Sequence, residues 1–221
     1  MAPPDSPPVA DPADATRAYR RLAVDERRRR LLEAGTELFA EHDYGELSMA
    51  QIAKAAGVSK PLLYHYFPTK RDFFVATLAD AADDLAERVR PRADLPLHQA
   101  AHHSLSAYLE WIDERPKQFR RLLTAAAGES GIRELIDNIR QATVALILAT
   151  LGHADLERTD PALRAAVLGW LLFVDGAMLV RLELGAPDRE RFADQLVETL
   201  AGAVRAAGDP DAGDRLLGVG A

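Results

Sequence analysis

Apolar residues recur along most of the chain at spacings of three and four, the repeat of a helix with one buried face. Met49, Ile52, Ala53 and Ala56 show it clearly. From residue 92 onward no segment has the two-residue alternation of a strand. The pattern predicts an all-α protein of about nine helices, at 26–42, between Ser48 and Gly57, between Ser59 and Pro68, from Thr69 to Pro91, at 95–114, from Pro116, and at 129–151, 161–185 and 188–207.

The second and third helices have clear start and stop signals. Ser48 is placed as an N-cap, and Gln51 three residues later completes a capping box. Gly57 can adopt the positive φ that ends a helix. Ser59 then caps the third helix, and Pro61 lies in its first turn, where a missing N–H costs nothing. The segment therefore predicts two short helices joined by a tight turn.

The third helix has an outward face that is poorly suited to water. Leu63 and Phe67 are four residues apart and point inward together, whereas Pro61, Tyr64 and His65 point away from them. Such a face suits a partner that is usually present, and Lys60 and Lys70 lie where the phosphates of a bound duplex would be. We predict base contacts from Lys60, Pro61, Leu62, Tyr64 and His65, and assign the DNA-binding site to these residues together with Ser48, Ser59, Tyr66, Lys70 and Arg28.

The stretch Ser48-Met-Ala-Gln-Ile-Ala53, then Gly57-Val-Ser-Lys60, Leu63-Tyr-His-Tyr-Phe67 and Lys70, resembles the DNA-binding signature of the TetR (tetracycline-repressor-like) regulators. The matching first helix runs from Leu31 to Tyr44. The resemblance implies an all-α homodimer with an N-terminal DNA-binding domain and a variable C-terminal domain that binds a small molecule and releases the DNA. Pro61 and Leu62 depart from the small or hydroxylated residues that the family often has there, so a relative's base preference does not transfer.

The distribution of charge supports DNA binding at the N-terminal end. The chain has a net charge of −7. Residues 17–71 nevertheless carry 11 Lys and Arg against 7 Asp and Glu, while residues 72–221 carry 16 against 24. An acidic remainder would repel DNA and help to orient the basic end toward it. The arginines at 17–30 are either phosphate contacts or a solvated charge run.

Composition also sets limits on the class of protein. The chain has no cysteine, which fits a reducing cytosol. Its N-terminus lacks the order of a signal peptide, and the apolar run 165–180, interrupted by Asp175, is shorter than the ~20 residues of a membrane span. Gly128-Glu-Ser-Gly131 is one residue short of a nucleophile elbow and lies between helices. We expect a cytoplasmic protein, away from membranes, that is not an enzyme and has no catalytic residues, cofactor or metal.

The sequence predicts a division of the chain into four segments. Residues 1–16 hold five prolines and predict a disordered tail. Residues 17–70 form the predicted helix-turn-helix domain, and residues 71–208 form a helical domain for effector binding and dimerisation. Residues 209–221 are rich in glycine and predict a flexible tail.

The eighth helix is apolar around its full circumference from Ala165 to Val174, so it must be covered on more than one side. A second copy of helices 8 and 9 would supply that cover as a symmetric four-helix interface. The alternative is a central helix of a monomeric bundle. We place the interface at Leu168, Leu171, Phe192, Leu196, Leu200 and Val204.

Large apolar side chains of the second domain are candidates for an effector pocket, which the family resemblance places among helices 4 to 8. With two histidines of helix 5 added, the set is His102, His103, Tyr108, Trp111, Phe119, Leu123, Leu146, Phe173 and Met178. For any one of the apolar residues, plain core is the alternative. His98 and His102 have a spacing that can hold a metal, but no Glu motif accompanies them. Asp175 is either a polar group of the pocket or interface, or a residue at a wet edge.

These patterns predict a ligand-responsive transcriptional regulator. In this interpretation a homodimeric repressor binds a palindromic operator in double-stranded DNA, and a mostly hydrophobic small molecule releases it. One alternative is an architectural or cell-division factor of the same fold without an effector. Another is a carrier of hydrophobic ligands with a vestigial DNA-binding domain.

Overall fold

In the computed structural model, the described residues are 12–125, 130–185 and 188–219, with side chains described except at 12–23, 121–125 and 130–131. Within these residues the protein is all α, which confirms the predicted fold class. The helices are α1 (Pro12–Glu41), α2 (Met49–Ala55), α3 (Lys60–Tyr66), α4 (Lys70–Arg88), α5 (Leu97–Glu114), α6 (Pro116–Ala125), α7 (Ser130–Leu151), α8 (Pro161–Leu184), α9 (Arg189–Ala206) and α10 (Pro210–Leu216).

The first helix begins earlier than its apolar pattern indicated. The disordered tail was expected to reach residue 16, and helix 1 was expected to begin near residue 26, whereas α1 begins at Pro12. Residues 1–11 of that tail lie outside the described part of the chain. Proline is favoured in the first turn of a helix, and the alanines and arginines that follow are good helix formers. Propensity therefore extends α1 beyond the stretch that has an apolar face.

The last helix, α10, replaces the flexible tail that was expected from residue 209. The Asp209 side chain caps it by accepting a hydrogen bond from the Ala212 N–H at 2.9 Å. Ala212 and Leu216 are buried in the core of the C-terminal unit, which binds the segment to α5 and α9. The glycine and aspartate content of this segment predicted a loop, because its buried face consists of only two apolar residues, Ala212 and Leu216.

The chain divides into two compact units, Met1–Thr77 and Leu78–Ala221. The first unit thus extends beyond residue 70, where the sequence placed the boundary. Phe73, Phe74 and Thr77 of α4 are buried there and hold the first two turns of that helix in the N-terminal core. The other buried residues of this core include Leu31, Leu32, Phe39, Leu47, Ile52, Leu63 and Phe67.

Aromatic side chains and one glycine fix the packing of α1 against α4. The ring centroids of Phe39 and Phe74 are 4.4 Å apart in an edge-to-face arrangement, a favoured geometry for aromatic pairs. A Cβ atom on Gly35 would lie 2.6 Å from Thr77 Oγ1 and 2.7 Å from Phe73 Cζ. Only glycine therefore allows the two helices to approach this closely.

The turn between α1 and α2 is held by a lysine from α4. The Lys70 ammonium donates hydrogen bonds of 2.8 Å to the carbonyl oxygens of Tyr44 and Leu47. It also lies 4.2 Å from the centroid of the Tyr44 ring, a favourable cation–π distance. Lys70 therefore closes the end of the N-terminal core as well as being a candidate phosphate contact.

The C-terminal unit is built around α8 and α9. Their buried residues pack with those of α5, α7 and α10 in one apolar core. Arg181 of α8 is buried, and its guanidinium forms a two-pronged pair with Asp113 of α5 at 2.5 and 3.1 Å. A buried charge needs such a partner, and the pair fixes the last turns of α8 against α5.

The whole of α8 is longer than the apolar run 165–180, and by length and composition alone it could reach across a membrane. One side of the helix is nevertheless buried inside the C-terminal unit, through Leu163, Val167, Trp170, Val174 and Met178. A helix that forms the core of a bundle needs the same apolar composition. Packing within the unit therefore accounts for one face of α8.

We predict that Lys70→Met destabilises the N-terminal unit by about 1–3 kcal/mol, because two carbonyl oxygens lose a charged donor. Urea unfolding followed by circular dichroism measures the change. The same substitution at Lys54, which is exposed on α2, is the matched control and should change stability by less than about 0.5 kcal/mol. Equal stability of the two variants would show that the Lys70 contacts do not hold the turn.

Candidate nucleic-acid interface and effector cavity

The turn between α2 and α3 forms as its sequence signals predict. Ser48 Oγ accepts a hydrogen bond from the Gln51 N–H at 3.3 Å, and Gln51 Oε1 accepts one from the Ser48 N–H at 2.8 Å. Gly57 has φ +66°, and the Val58 N–H donates to the Ala53 carbonyl at 2.9 Å. The capping box and the left-handed glycine together fix the direction in which α3 leaves the turn.

The short helix α3 has one buried and one exposed face. The Ser59 hydroxyl caps it by accepting a hydrogen bond from the Leu62 N–H at 3.3 Å. Leu63 and Phe67 are buried, which anchors the helix to the N-terminal core. The opposite face carries Lys60, Pro61, Tyr64 and His65, all exposed, with Leu62 and Tyr66 half-buried at its sides.

Two cations lie against aromatic rings of the α3 region. The Lys60 ammonium lies 5.7 Å from the centroid of the Tyr64 ring, and the Arg28 guanidinium lies 5.6 Å from that of Phe67. Tyr64 is 41% exposed, so a large aromatic edge is presented to solvent beside a positive charge. Aromatic and basic groups on one exposed helix face are suited to base edges and phosphates.

Three of the predicted DNA-binding residues have structural contacts as well. The hydroxyls of Ser48 and Ser59 cap α2 and α3, and Lys70 donates to two carbonyl oxygens. Lys70 and Ser59 still have a donor for a phosphate, since an ammonium has three donors and the Ser59 hydroxyl only accepts in its cap. The Ser48 hydroxyl instead donates its one hydrogen to Gln51 Oε1 at 2.7 Å. Their roles in DNA binding stay predictions.

The arginines of α1 differ in their surroundings. Arg29 pairs with Glu26 at 2.8 Å and also with Glu33, and Arg30 pairs with Glu26 at 3.0 Å. Hydrogen bonds from Arg29 and Arg30 lower the pKa of the Glu26 carboxyl. Arg28 contacts the ring of Phe67 at the end of α3, which places it next to the candidate interface.

A cavity of about 280 Å³ lies inside the C-terminal unit. Four of the predicted effector-binding residues, Tyr108, Trp111, Phe119 and Leu146, line it. Residues of α4 form one side of the cavity, and the sequence did not assign them to the site. These residues are Leu78, Ala81, Ala82 and Leu85.

The remaining predicted effector residues lie elsewhere. His102 Nε2 is 3.2 Å from Asp194 Oδ1 at the surface, and His103 is exposed. Met178 is fully buried in the core, and Phe173 is 48% exposed, so neither belongs to the cavity lining. The Leu123 side chain lies outside the described residues. Helix periodicity identifies an apolar face but does not distinguish cavity, core and surface.

The mostly apolar lining of the cavity contains one ion pair. Arg140 of α7 donates to the Asp175 carboxylate of α8 at 2.8 Å. Burial, together with the Asp175 charge, raises the pKa of the Tyr108 hydroxyl, and Arg140 partly opposes this. Tyr108 is therefore a neutral hydroxyl at physiological pH. The sequence indicated Asp175 as a polar group in the pocket or at an interface, but it did not identify Arg140 as the partner.

One cavity residue connects the lining to α4 by a hydrogen bond. The indole N–H of Trp111 donates to Asp84 Oδ2 at 3.1 Å. Arg88, one turn further along α4, lies 3.3 Å from the Glu114 carboxylate at the end of α5. These contacts attach the second half of α4 to the helix that contributes Tyr108 and Trp111.

Three of the six predicted dimer residues are buried within one chain and present no surface to a partner, and the other three stay predictions. Leu196, Leu200 and Val204 of α9 pack in the core of the C-terminal unit, because α9 turns its apolar face toward α5, α8 and α10. Leu171 and Leu200 line the cavity. Leu168 and Phe192 are half-buried against the same core.

An apolar stripe that stays exposed lies on α8. Leu172, Phe173, Val180 and Leu184 are all exposed large apolar residues, and Leu184 is 81% exposed. Gly169 and Gly176 are exposed on the same side of the helix. Monomeric proteins rarely leave such a continuous apolar stripe open to water.

Comparison with known proteins agrees with the site geometry. The family model described as "Bacterial regulatory proteins, tetR family" matches residues 31–77, and the one described as "Tetracyclin repressor-like, C-terminal domain" matches residues 97–203. The chain is similar to a tetR-family transcriptional regulator from Streptomyces coelicolor whose crystal structure is known. The identity is 30%, the TM-score is 0.73, and 87% of each chain is covered.

Two curated relatives match over shorter regions. The transcriptional activator FasR of Mycolicibacterium smegmatis is 35% identical over 49% of this chain and 51% of its own. The transcriptional regulator HbdR of Aromatoleum sp. strain CIB is 33% identical over 41% of this chain and 40% of its own. The matches span about half of FasR and two fifths of HbdR. All three similar proteins are described as transcriptional regulators or activators. With both family models and the helix-turn-helix geometry in agreement, the chain belongs to the TetR family of DNA-binding transcriptional regulators.

Proposed function

We propose that this regulator is a cytoplasmic homodimeric repressor that binds a roughly palindromic operator and is released by a small, mostly apolar molecule. The observation that carries the proposal is the exposed face of α3. Lys60, Pro61, Tyr64 and His65 are exposed, whereas Leu63 and Phe67 fix the helix to the N-terminal core. In a helix-turn-helix protein such a face enters the major groove.

Homodimer formation is supported by the exposed apolar stripe of α8. A second copy of α8, related by two-fold symmetry, would cover Leu172, Phe173, Val180 and Leu184, and the exposed glycines of that side would allow close approach. In this arrangement α9 contributes its outward residues and not the buried leucines that the sequence suggested. Two copies of α3 would then read half-sites about 34–36 Å apart.

Effector binding is supported by the cavity in the C-terminal unit. This cavity also favours a ligand-responsive regulator over an architectural factor of the same fold. A ligand among Trp111, Phe119 and Leu85 would contact α4 directly, and α4 continues to Phe73 and Phe74 in the N-terminal core. We propose that the ligand favours a position of α4 that is incompatible with operator binding. A coupling free energy of about 1–3 kcal/mol is enough to change affinity about 5- to 150-fold.

Repression would follow from occupancy of the operator. A dimer that covers two successive major grooves excludes other proteins from that duplex, and loss of affinity on ligand binding reverses the effect. FasR, the relative from M. smegmatis, is described as an activator. The sign of regulation therefore depends on where the operator lies relative to a promoter.

We predict that Tyr64→Ala weakens operator binding by about 1–3 kcal/mol, because an exposed aromatic edge at the base contacts is lost. Lys60→Ala should weaken binding and lower the slope of log affinity against log salt by about one. Fluorescence anisotropy with a labelled operator at several salt concentrations measures both. Lys117→Ala, at an exposed lysine of α6, is the control and should bind like the wild type. If Tyr64→Ala and Lys60→Ala also bound like the wild type, α3 would not be the reading helix.

We predict that Phe173→Glu converts the dimer to a monomer, because the substitution buries a charge in an apolar interface. Size-exclusion chromatography with light scattering at micromolar concentration gives the mass. Val219→Glu also places a carboxylate at an exposed apolar position, outside the α8 stripe, and should stay dimeric. A dimeric Phe173→Glu protein would move the interface away from this stripe.

A further inference from the structure

The polar groups of the cavity are few, and they differ in how well they are satisfied. The hydroxyls of Thr143 and Thr150 donate to carbonyl oxygens of their own helix, to Ile139 at 2.9 Å and to Leu146 at 2.8 Å. The remaining polar residues of the described lining are Ser104, Tyr108, Gln118, Arg140 and Asp175. The hydrogen-bonding character of the cavity therefore resides mainly in this second group.

Four members of this group belong to one part of the cavity. Ser104 and Tyr108 are four residues apart on α5, so they share a helix face. The Arg140–Asp175 pair joins α7 to α8. Both charges act on the Tyr108 hydroxyl, since Asp175 raises its pKa and Arg140 lowers it. Helices α5, α7 and α8 thus bring these side chains together beside an otherwise apolar space.

Two atoms of this cluster lack hydrogen-bond partners. Within the part of the chain that the structure describes, Ser104 Oγ and Arg140 Nε are buried and have no partner. Buried polar atoms of native proteins are nearly always paired, and each exception needs an explanation. Both residues line the cavity, and a ligand group that displaces the side chains covering these two atoms is such an explanation.

The charge of the cluster limits the ligand. The Asp175 carboxylate, 2.8 Å from the Arg140 guanidinium, neutralises its charge. The Asp137 carboxylate is a second, more distant partner of the same guanidinium, at 3.7 Å. A charged ligand would bring an additional, uncompensated charge into a low-dielectric site, which is costly. An uncharged oxygen acceptor could instead take hydrogen bonds from both Arg140 and Ser104 without disturbing the ion pair.

We propose that the cavity binds an uncharged amphiphile, with an alcohol, ketone or ester oxygen at Ser104 and Arg140 and an apolar body along the rest of the lining. The inference rests on the proposed effector function and specifies its ligand class. The volume of about 280 Å³ is at the small end of ligand pockets, which span about 300–1,000 Å³. The ligand is accordingly a small molecule.

Intrinsic fluorescence offers a direct test. The chain has two tryptophans, and both of them, Trp111 and Trp170, line the cavity. The full-length protein is titrated with decanol, decanoate and decylammonium at neutral pH, below their micelle concentrations. These probes share one chain length and differ in head group. We expect decanol to bind at least about tenfold more tightly than either charged probe. Tighter binding of decanoate or decylammonium, or no binding of decanol, would overturn the assignment.

Two variants test the residues. Ser104→Ala should weaken decanol binding about fivefold, which corresponds to the loss of one hydrogen bond. Ser106→Ala, on the same helix but outside the lining, is the matched control and should bind as the wild type does. Asp175→Asn leaves the Arg140 charge without its nearest partner, so the preference should shift about tenfold toward decanoate. An unchanged preference in a folded Asp175→Asn protein would contradict the role of the ion pair. If that variant fails to fold, the Ser104→Ala comparison alone decides.

Different results would disprove the proposed ligand class and the proposed effector function. Operator affinity is measured by anisotropy with and without saturating decanol. If decanol binds with the expected selectivity but leaves operator affinity unchanged, the ligand class stands and the coupling to DNA is wrong. If decanoate is the tighter ligand and releases the operator, the effector function stands and the uncharged class is wrong.

Discussion

The central constraint of this protein is that one helix belongs to both of its units. The first two turns of α4 place Phe73 and Phe74 in the N-terminal core, and Lys70 at its start closes the turn before α2. Beyond Thr77 the same helix contributes Leu78 and Leu85 to the cavity of the C-terminal unit. The proposed ligand would therefore contact the same helix whose first two turns lie in the N-terminal core.

The second physical feature is a division of charge and exposure between the two units. The segment 17–71 is basic and contains a short helix that exposes Pro61, Tyr64 and His65. The remainder of the chain is acidic, and four of its exposed large apolar residues among those described lie on α8. Each surface predicts a different partner, because cations and aromatic edges suit a duplex and an apolar stripe suits a second protein surface.

Local signals in the sequence predicted the site better than long-range ones did. The caps at Ser48 and Ser59 and the glycine at 57 depend on residues a few positions apart, so the helix-turn-helix could be predicted closely. The α9 leucines could not be assigned from periodicity, since an apolar stripe does not reveal which surface covers it. The hydrogen bonds of Lys70 and the pairing of Arg140 with Asp175 join distant segments, and only the folded chain brings them together. The mild apolar pattern of α10 was hidden by its glycine and aspartate content.

DNA reading by a symmetric dimer is tested most directly by selection of duplexes from a random library with the purified protein at low ionic strength, followed by sequencing of the retained fragments. We expect an enriched inverted repeat whose half-site centres lie about 34–36 Å apart, one turn of the duplex. Retention of no preferred sequence, or of a single half-site without symmetry, would contradict a dimer that reads DNA through two copies of α3.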